Sequence, residues 1–116
     1  MKSRPRIAAL VSIYHRYAHA QHIVDRFLEG YGWNGKHHRP EMDIVSLYVD
    51  QITPKPLNPE QGKQYDLSQD RVERFPKLNR YPTIADALTC GTKTLAVDGV
   101  LIIAEHGNYP VNEKGQ

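Results

Sequence analysis

Cysteine is almost missing from this sequence, which contains one, Cys90, among 116 residues. A disulfide framework within the chain is therefore excluded, and a single thiol is compatible with a reducing compartment. Long apolar runs are missing as well, since no stretch approaches the roughly 18 residues of a membrane-spanning helix. The apolar run at residues 7–11 is too short for a secretory leader and lacks a small-residue cleavage site. We therefore expect a cytoplasmic protein without a membrane partner.

An excess of charge of either sign is also lacking. Fifteen basic and 13 acidic residues leave a formal net charge of +2, whereas binding to nucleic acid needs a clustered basic face. We therefore expect no nucleic-acid partner. A content of 40% hydrophobic and 24% charged residues is that of an ordinary globular protein. A chain of this length is expected to form one domain.

Three segments are apolar without alternation, at residues 6–14, 42–49 and 97–104. Uninterrupted apolar strands are typical of a parallel sheet that is covered on both faces. Tyr81 is expected to begin a brief further strand. Because the crossovers between parallel strands are right-handed, the first and last strands should lie side by side.

Helical periodicity appears between these strands. Apolar residues recur at intervals of three and four within residues 15–30, and Gly30 provides the stop. Two shorter helices are expected, over residues 66–75 with Ser68 as the N-cap and over residues 83–88 with Thr83 as the N-cap. A polar, turn-rich connection is expected over residues 32–41.

Strands that alternate with helices predict a three-layer α/β fold, a Rossmann-like doubly wound parallel sheet. With about four strands this sheet is incomplete. We therefore expect a single nucleotide-binding domain over residues 1–116, the N-terminal part of a longer chain.

Ligands of doubly wound folds bind at the carboxyl ends of the strands, and the turn after the first strand lies there. The predicted contacts in this turn are Ser12, Tyr14, His15 and Arg16. Asp50 ends the second strand, where an acidic residue accepts hydrogen bonds from ribose hydroxyls. The alternatives stay open: the turn is a solvated surface loop, and Asp50 is an ordinary turn residue.

Glu105 and His106 follow the last strand, and both carry ionisable side chains to the same edge of the sheet. A histidine with a pKa near neutrality can act as a general acid or base, so the pair is the predicted catalytic site. A capping or loop role is the alternative. His15, His19 and His22 are spaced three or four apart, but this spacing alone does not predict a metal, and no metal site is assigned.

The last third of the sequence resembles the N-terminal domain of the glucose-fructose oxidoreductase and inositol dehydrogenase (Gfo/Idh/MocA) family. In that family a Tyr-x-x-Ile/Leu-x-x-Leu helix is followed by Val-Asp-x-Val-x-Ile-x-x-Pro. Residues 81–88 and 97–104 correspond to these motifs in this order. The resemblance implies an oxidoreductase that binds NAD or NADP and acts on a sugar or polyol-like small molecule. It also implies a C-terminal substrate domain, and a homo-oligomer is left open.

Glycine is missing where that family has Gly-x-Gly-x-x-Gly, because residues 12–19 are Ser-Ile-Tyr-His-Arg-Tyr-Ala-His. Those glycines let the backbone approach the pyrophosphate closely. The chain is therefore interpreted as a member of a subgroup without this fingerprint. Two alternatives remain, a Rossmann-like binding module that has lost dinucleotide binding and catalysis, and a metal-dependent hydrolase or lyase.

Overall fold

The computed structural model describes residues 4–33, 35–53 and 65–104, with only the backbone of Trp33. The strands are β1 (Arg6–Val11), β2 (Tyr31–Trp33), β3 (Lys36–His38), β4 (Asp43–Val49), β5 (Asn79–Arg80) and β6 (Gly99–Ile103). The helices are α1 (His19–Glu29), α2 (Ser68–Arg74) and α3 (Ile84–Thr89).

Four of these strands form a parallel sheet in the order β5-β4-β1-β6. The first and last strands lie side by side as predicted, in a register that runs from Ile7 opposite Gly99 to Val11 opposite Ile103. Chain order and sheet order together are those of an incomplete Rossmann-like fold, so the predicted fold class is confirmed.

Alternate residues of the central strand β1 face two separate layers of helices. Ala9 and Val11 pack in a core cluster with α1 and α2 side chains, whereas Ala8 packs in a second cluster near the end of α3. Ser46, on β4, donates a 2.5 Å hydrogen bond to the Ala87 carbonyl of α3. The sheet is therefore the middle of three layers.

The predicted elements exist, but several of their boundaries are wrong. β1 ends at Val11 rather than at residue 14, and α1 begins at His19 rather than at residue 15. The intervening residues form a turn that a 3.0 Å bond from Ala18 N to the His15 carbonyl closes. The apolar and aromatic residues of this turn continue the sequence patterns of the flanking strand and helix, which explains the wrong boundaries. Their backbone is irregular, and some of their side chains are buried while others are exposed.

Of the two predicted N-caps and the predicted start of a strand at Tyr81, one N-cap is confirmed. Thr83 is confirmed as the N-cap of α3, since its hydroxyl accepts a 3.0 Å bond from Asp86 N. Ser68 is not the N-cap of α2; Leu67 occupies that position. β5 ends just before Tyr81 rather than beginning there, although Tyr81 N still donates to the Leu47 carbonyl of β4 at 2.8 Å.

The expected connection at residues 32–41 contains a small antiparallel hairpin, β2 and β3. The stacked rings of Tyr31 and His38 stabilise it. Gly30 precedes it with a φ of 85°, and a Cβ at this position would lie 2.5 Å from the His38 carbonyl oxygen. Only glycine fits there, which explains why α1 stops at this residue.

Candidate functional site

β1, β4 and β6 end together at the carboxyl edge of the sheet, which we call the rim. The residues that follow them are joined by backbone hydrogen bonds, from Ser12 N to the Ile103 carbonyl (3.2 Å) and from Asp50 N to the Val11 carbonyl (3.0 Å). Gln51 N donates to the Ser12 carbonyl at 2.9 Å. The prediction that Ser12 and Asp50 lie at one edge is therefore confirmed.

The strand order places a topological switch point at the rim between β1 and β6. From β1 the chain moves outward to β4 and β5, and it then crosses back to β6 on the other side of β1. In open α/β sheets, ligands bind in the crevice that such a reversal creates.

A crevice of about 380 Å³ opens at this position, with nearly all of its walls apolar. Tyr48, Leu10 and Ile102 are register partners across β4, β1 and β6, so their side chains form one row along its floor. Ile84, from α3, forms one wall of the crevice. Ser12 and Asp50 contribute the polar groups at the edge of the crevice. Apolar walls with a few polar groups are typical of small-molecule sites.

Asp50 lies between this crevice and a second recess of about 460 Å³ above the ends of β4 and β5. The Tyr48 hydroxyl donates a 2.6 Å hydrogen bond to Asp50 Oδ1, and this bond raises the pKa of Tyr48. The hydroxyl thereby orients the carboxylate at the rim. No sequence pattern indicated Tyr48 as a residue of the site. Its position two residues before Asp50 nevertheless places both side chains on the same face of the strand.

The second recess contains a cation that sequence reasoning also missed. Arg80 lines it beside Asp50, and its Nη1 donates to Ser68 Oγ at 2.7 Å and to Asp66 Oδ2 at 3.4 Å. The Asp66 side chain is 6% exposed, and its Oδ1 has no hydrogen-bond partner in the described part of the chain. Arg80 is brought to Asp50 by the pairing of β5 with β4, which no local motif indicates.

The turn between β1 and α1 separates the predicted contacts from one another. Tyr14 does not reach the rim: it is 1% exposed, and its hydroxyl donates to Asp25. A side chain in this position packs in the core, so the prediction that Tyr14 contacts a cofactor with its side chain is wrong. His15 is half-buried with its Nδ1 3.0 Å from the Arg16 carbonyl oxygen, and Arg16 is exposed.

Tyr17 adopts a left-handed backbone conformation in this turn, with a φ of 68°. Glycine is the residue that takes this conformation without cost, but here an aromatic side chain, 66% exposed, occupies it. The Arg16 guanidinium lies 4.8 Å from the ring centroid of Tyr17. The turn thus has glycine-like geometry at one residue while presenting bulk to solvent.

A buried ion pair holds the turn against both helices of its layer. Arg71 Nε and Nη2, from α2, each donate a 2.9 Å bond to the Asp25 carboxylate of α1. Gln21 Nε2 adds a third donor at 3.1 Å. Burial alone would raise the pKa of Asp25, but the hydrogen bonds from Arg71 and Tyr14 outweigh it and lower the pKa below the usual 3.8. We call Tyr14, Asp25 and Arg71 the buried triad.

The predicted acid–base pair, Glu105 and His106, lies outside the described residues. Within residues 4–33, 35–53 and 65–104, no three metal-ligating side chains come together. His15, His19 and His22 therefore form no metal site with other described residues. No helix in the described part of the chain is long and apolar enough to cross a membrane.

Sheet order and rim together define a mixed α/β protein with an incomplete Rossmann-like sheet. Comparison with protein-family models, curated proteins and solved structures finds no match to this chain.

Proposed function

We propose that this chain is the NAD(P)-binding part of an oxidoreductase related to the Gfo/Idh/MocA family, acting on a sugar or polyol-like substrate. The observation that carries the proposal is the position of Asp50, an exposed carboxylate at the carboxyl end of β4 beside an apolar crevice at the switch point. A ribose offers two adjacent hydroxyl donors, and a carboxylate at this place in the fold accepts them.

The rim crevice and Asp50 suit the adenosine part of such a cofactor. The crevice beside Leu10, Ile84 and Ile102 suits the flat, largely apolar surface of an adenine, while Asp50 holds the ribose. The described residues hold and orient the cofactor in this proposal, and the cofactor, when bound, supplies the hydride chemistry.

The pyrophosphate end would lie against the turn after β1. Here Ser12 offers a hydroxyl, and His15 and Arg16 can form charge-assisted hydrogen bonds with phosphate oxygens. Tyr14 contributes indirectly, because its bond to Asp25 anchors the turn. We also propose that Glu105 and His106 act as the acid and base of the reaction. A cytoplasmic location is proposed as well, and the single cysteine accords with it.

Calorimetric titration with NADH and NADPH tests the role of Asp50. We expect saturable NADH binding by the wild type and a roughly tenfold to hundredfold weaker affinity for NADH in Asp50→Asn, because the charged acceptor of the two ribose hydroxyls is lost. NADPH should not show this loss, because its 2′-phosphate replaces one of these hydroxyls. Glu73→Gln, on the exposed surface of α2, removes the same charge away from the rim and should leave affinity unchanged. An equal affinity for NADH in Asp50→Asn and the wild type would contradict the assignment.

A second function is favoured by the turn itself. Tyr17 occupies a glycine-like conformation with a bulky side chain, so the backbone there is less open to a pyrophosphate than in a glycine-rich turn. A binding module that retains the crevice without binding a dinucleotide matches this feature. Absence of any thermal shift with about 1 mM of either cofactor would favour this second function over the first.

A further inference from the structure

We propose that a second, separate pocket in this protein binds a small amphipathic carboxylic acid. The pocket lies between α1, the segment that joins α2 to β5 and the amino-terminal half of β4, and has a volume of about 280 Å³. It opens beside Asp43, the first residue of β4, whereas Asp50 follows the last. At about 3.3 Å per residue the two sites are roughly 20 Å apart, so the proposal does not rest on nucleotide binding at the rim.

Apolar side chains from three elements form the interior of this pocket. Its deeper walls are buried residues of α1 and β4 and of the segment before β5, namely Leu28, Ile44 and Leu78. Phe27 and Phe75 are half-buried and border the opening. Ligand sites have this composition, and the volume lies just below their usual range of about 300–1,000 Å³. The occupant is therefore small and has an apolar body.

The charges at the opening determine the polar end of the ligand. Asp43 Oδ1 is already shared by two guanidinium groups, those of Arg4 at 2.9 Å and Arg39 at 3.3 Å. Lys77 also lines the pocket, and it forms no hydrogen bond or ion pair with any residue in the described ranges. Arg39 and Lys77 thus line the opening together with Asp43, and Arg4 pairs with Asp43 from a neighbouring recess, so the cations outnumber the carboxylate. A ligand anion gains from this surplus of positive charge, whereas a ligand cation would be repelled.

A single carboxylate suits this opening better than a multiply charged phosphate. Arg4 and Arg39 both donate hydrogen bonds to Asp43. The Lys77 ammonium is therefore the group that can pair with the carboxylate of a ligand. An alkyl chain or an aromatic ring would then fill the space between Phe27 and Phe75. The proposed ligand class is a medium-chain or aryl carboxylic acid.

Octanoate is the probe, and binding is followed by amide and aromatic NMR shifts of the full chain. We expect saturable shifts at Leu28, Ile44 and Phe75, and an affinity that rises about fourfold per methylene from butanoate to octanoate. Octanol, which lacks the charge, should bind more weakly than octanoate. Lys77→Gln should weaken octanoate binding about twofold to fivefold, whereas Lys93→Gln, an equivalent loss of charge on a distant loop, should change nothing.

Three results would overturn the proposal. One is the absence of saturable shifts in the wild type at about 10 mM octanoate, a concentration that detects even millimolar binding; this result needs no variant. A second is an affinity that is the same for octanol and octanoate and is insensitive to Lys77→Gln. The third is a set of shifts confined to Ser12, Asp50 and Ile102, because octanoate would then bind at the rim.

Discussion

Replacement of Arg71 by methionine is expected to lower the free energy of unfolding by about 3–5 kcal/mol, the usual cost of removing one partner of a buried ion pair. Arg71 and Asp25 are 9% and 8% exposed, and two 2.9 Å bonds join them. Without the guanidinium, the buried carboxylate keeps two donors among the described residues, Tyr14 and Gln21. The cost therefore comes from leaving Asp25 without a compensating charge.

The double variant Asp25→Leu/Arg71→Met separates that cost from the value of the pair itself. A buried ion pair is often replaced by apolar residues with little loss, although the Tyr14 hydroxyl would then lack its acceptor at a cost of about 1–3 kcal/mol. We expect the double variant to be more stable than the sum of the two single changes predicts, with a coupling of about 1–3 kcal/mol.

Urea unfolding followed by far-ultraviolet circular dichroism measures these differences. Arg74→Met is the matched control, because Arg74 lies on the same helix but pairs with Glu29 and Asp70 in exposed positions. An exposed pair is worth about 0–1 kcal/mol. If Arg71→Met and Arg74→Met destabilised the protein equally, the reasoning about the buried triad would be refuted.

Three further predictions concern pH, the turn and the sheet edge. Because the pKa of Asp25 is lowered in the folded state, its contribution to stability is present above pH 3.8 and is lost as the pH falls further. Asp25→Asn should therefore reduce the fall in the free energy of unfolding at acid pH, measured by urea titration. An unchanged fall would contradict the assignment. Tyr17→Gly should raise the free energy of unfolding by up to about 1 kcal/mol by relieving left-handed strain, and a loss of stability would contradict it. Among the described residues β6 is an edge strand, and its Val100 is 45% exposed outside the rim crevice. We therefore expect a homo-oligomer through this edge that Val100→Lys abolishes; a wild type that sediments as a monomer at every concentration would contradict it.

β1 and β4 could be predicted because burial on both faces leaves a continuous apolar record in the sequence. Residues 97–104 have the same apolar record, and their length favours a strand, but the expectation that this strand is covered on both faces is wrong, since Val100 and Ile102 of β6 are 45% and 71% exposed. The right-handed crossover rule then placed β6 beside β1. Asp50 at the rim followed from these two steps, without any motif of its own.

The interior of the turn after β1 could not be predicted in the same way. Tyr14 and Tyr17 are three residues apart and equally aromatic, yet one is 1% exposed and the other 66%. What distinguishes them is the distant partner of Tyr14, since Asp25 is held by Arg71, 46 positions further along the chain. Sequence patterns record local periodicity and carry no direct information about such a contact.

The cation in the second recess escaped prediction for a related reason. Arg80 belongs to a two-residue strand, too short for any alternation of polar and apolar residues to appear. Only the pairing of Leu47 with Arg80 across β4 and β5 brings it close to Asp50. Short elements therefore contribute to the site through topology rather than through a recognisable pattern.

The most direct test of the account is an amide NMR titration of the ¹⁵N-labelled chain with NADH. If a nucleotide binds at the switch point, saturable shifts will appear together at Ser12, Asp50 and Ile102, and the amides of Asp43 and Lys77 at the opposite edge will stay unchanged. Saturable shifts confined to that opposite edge, or none at the rim, would contradict nucleotide binding at Asp50.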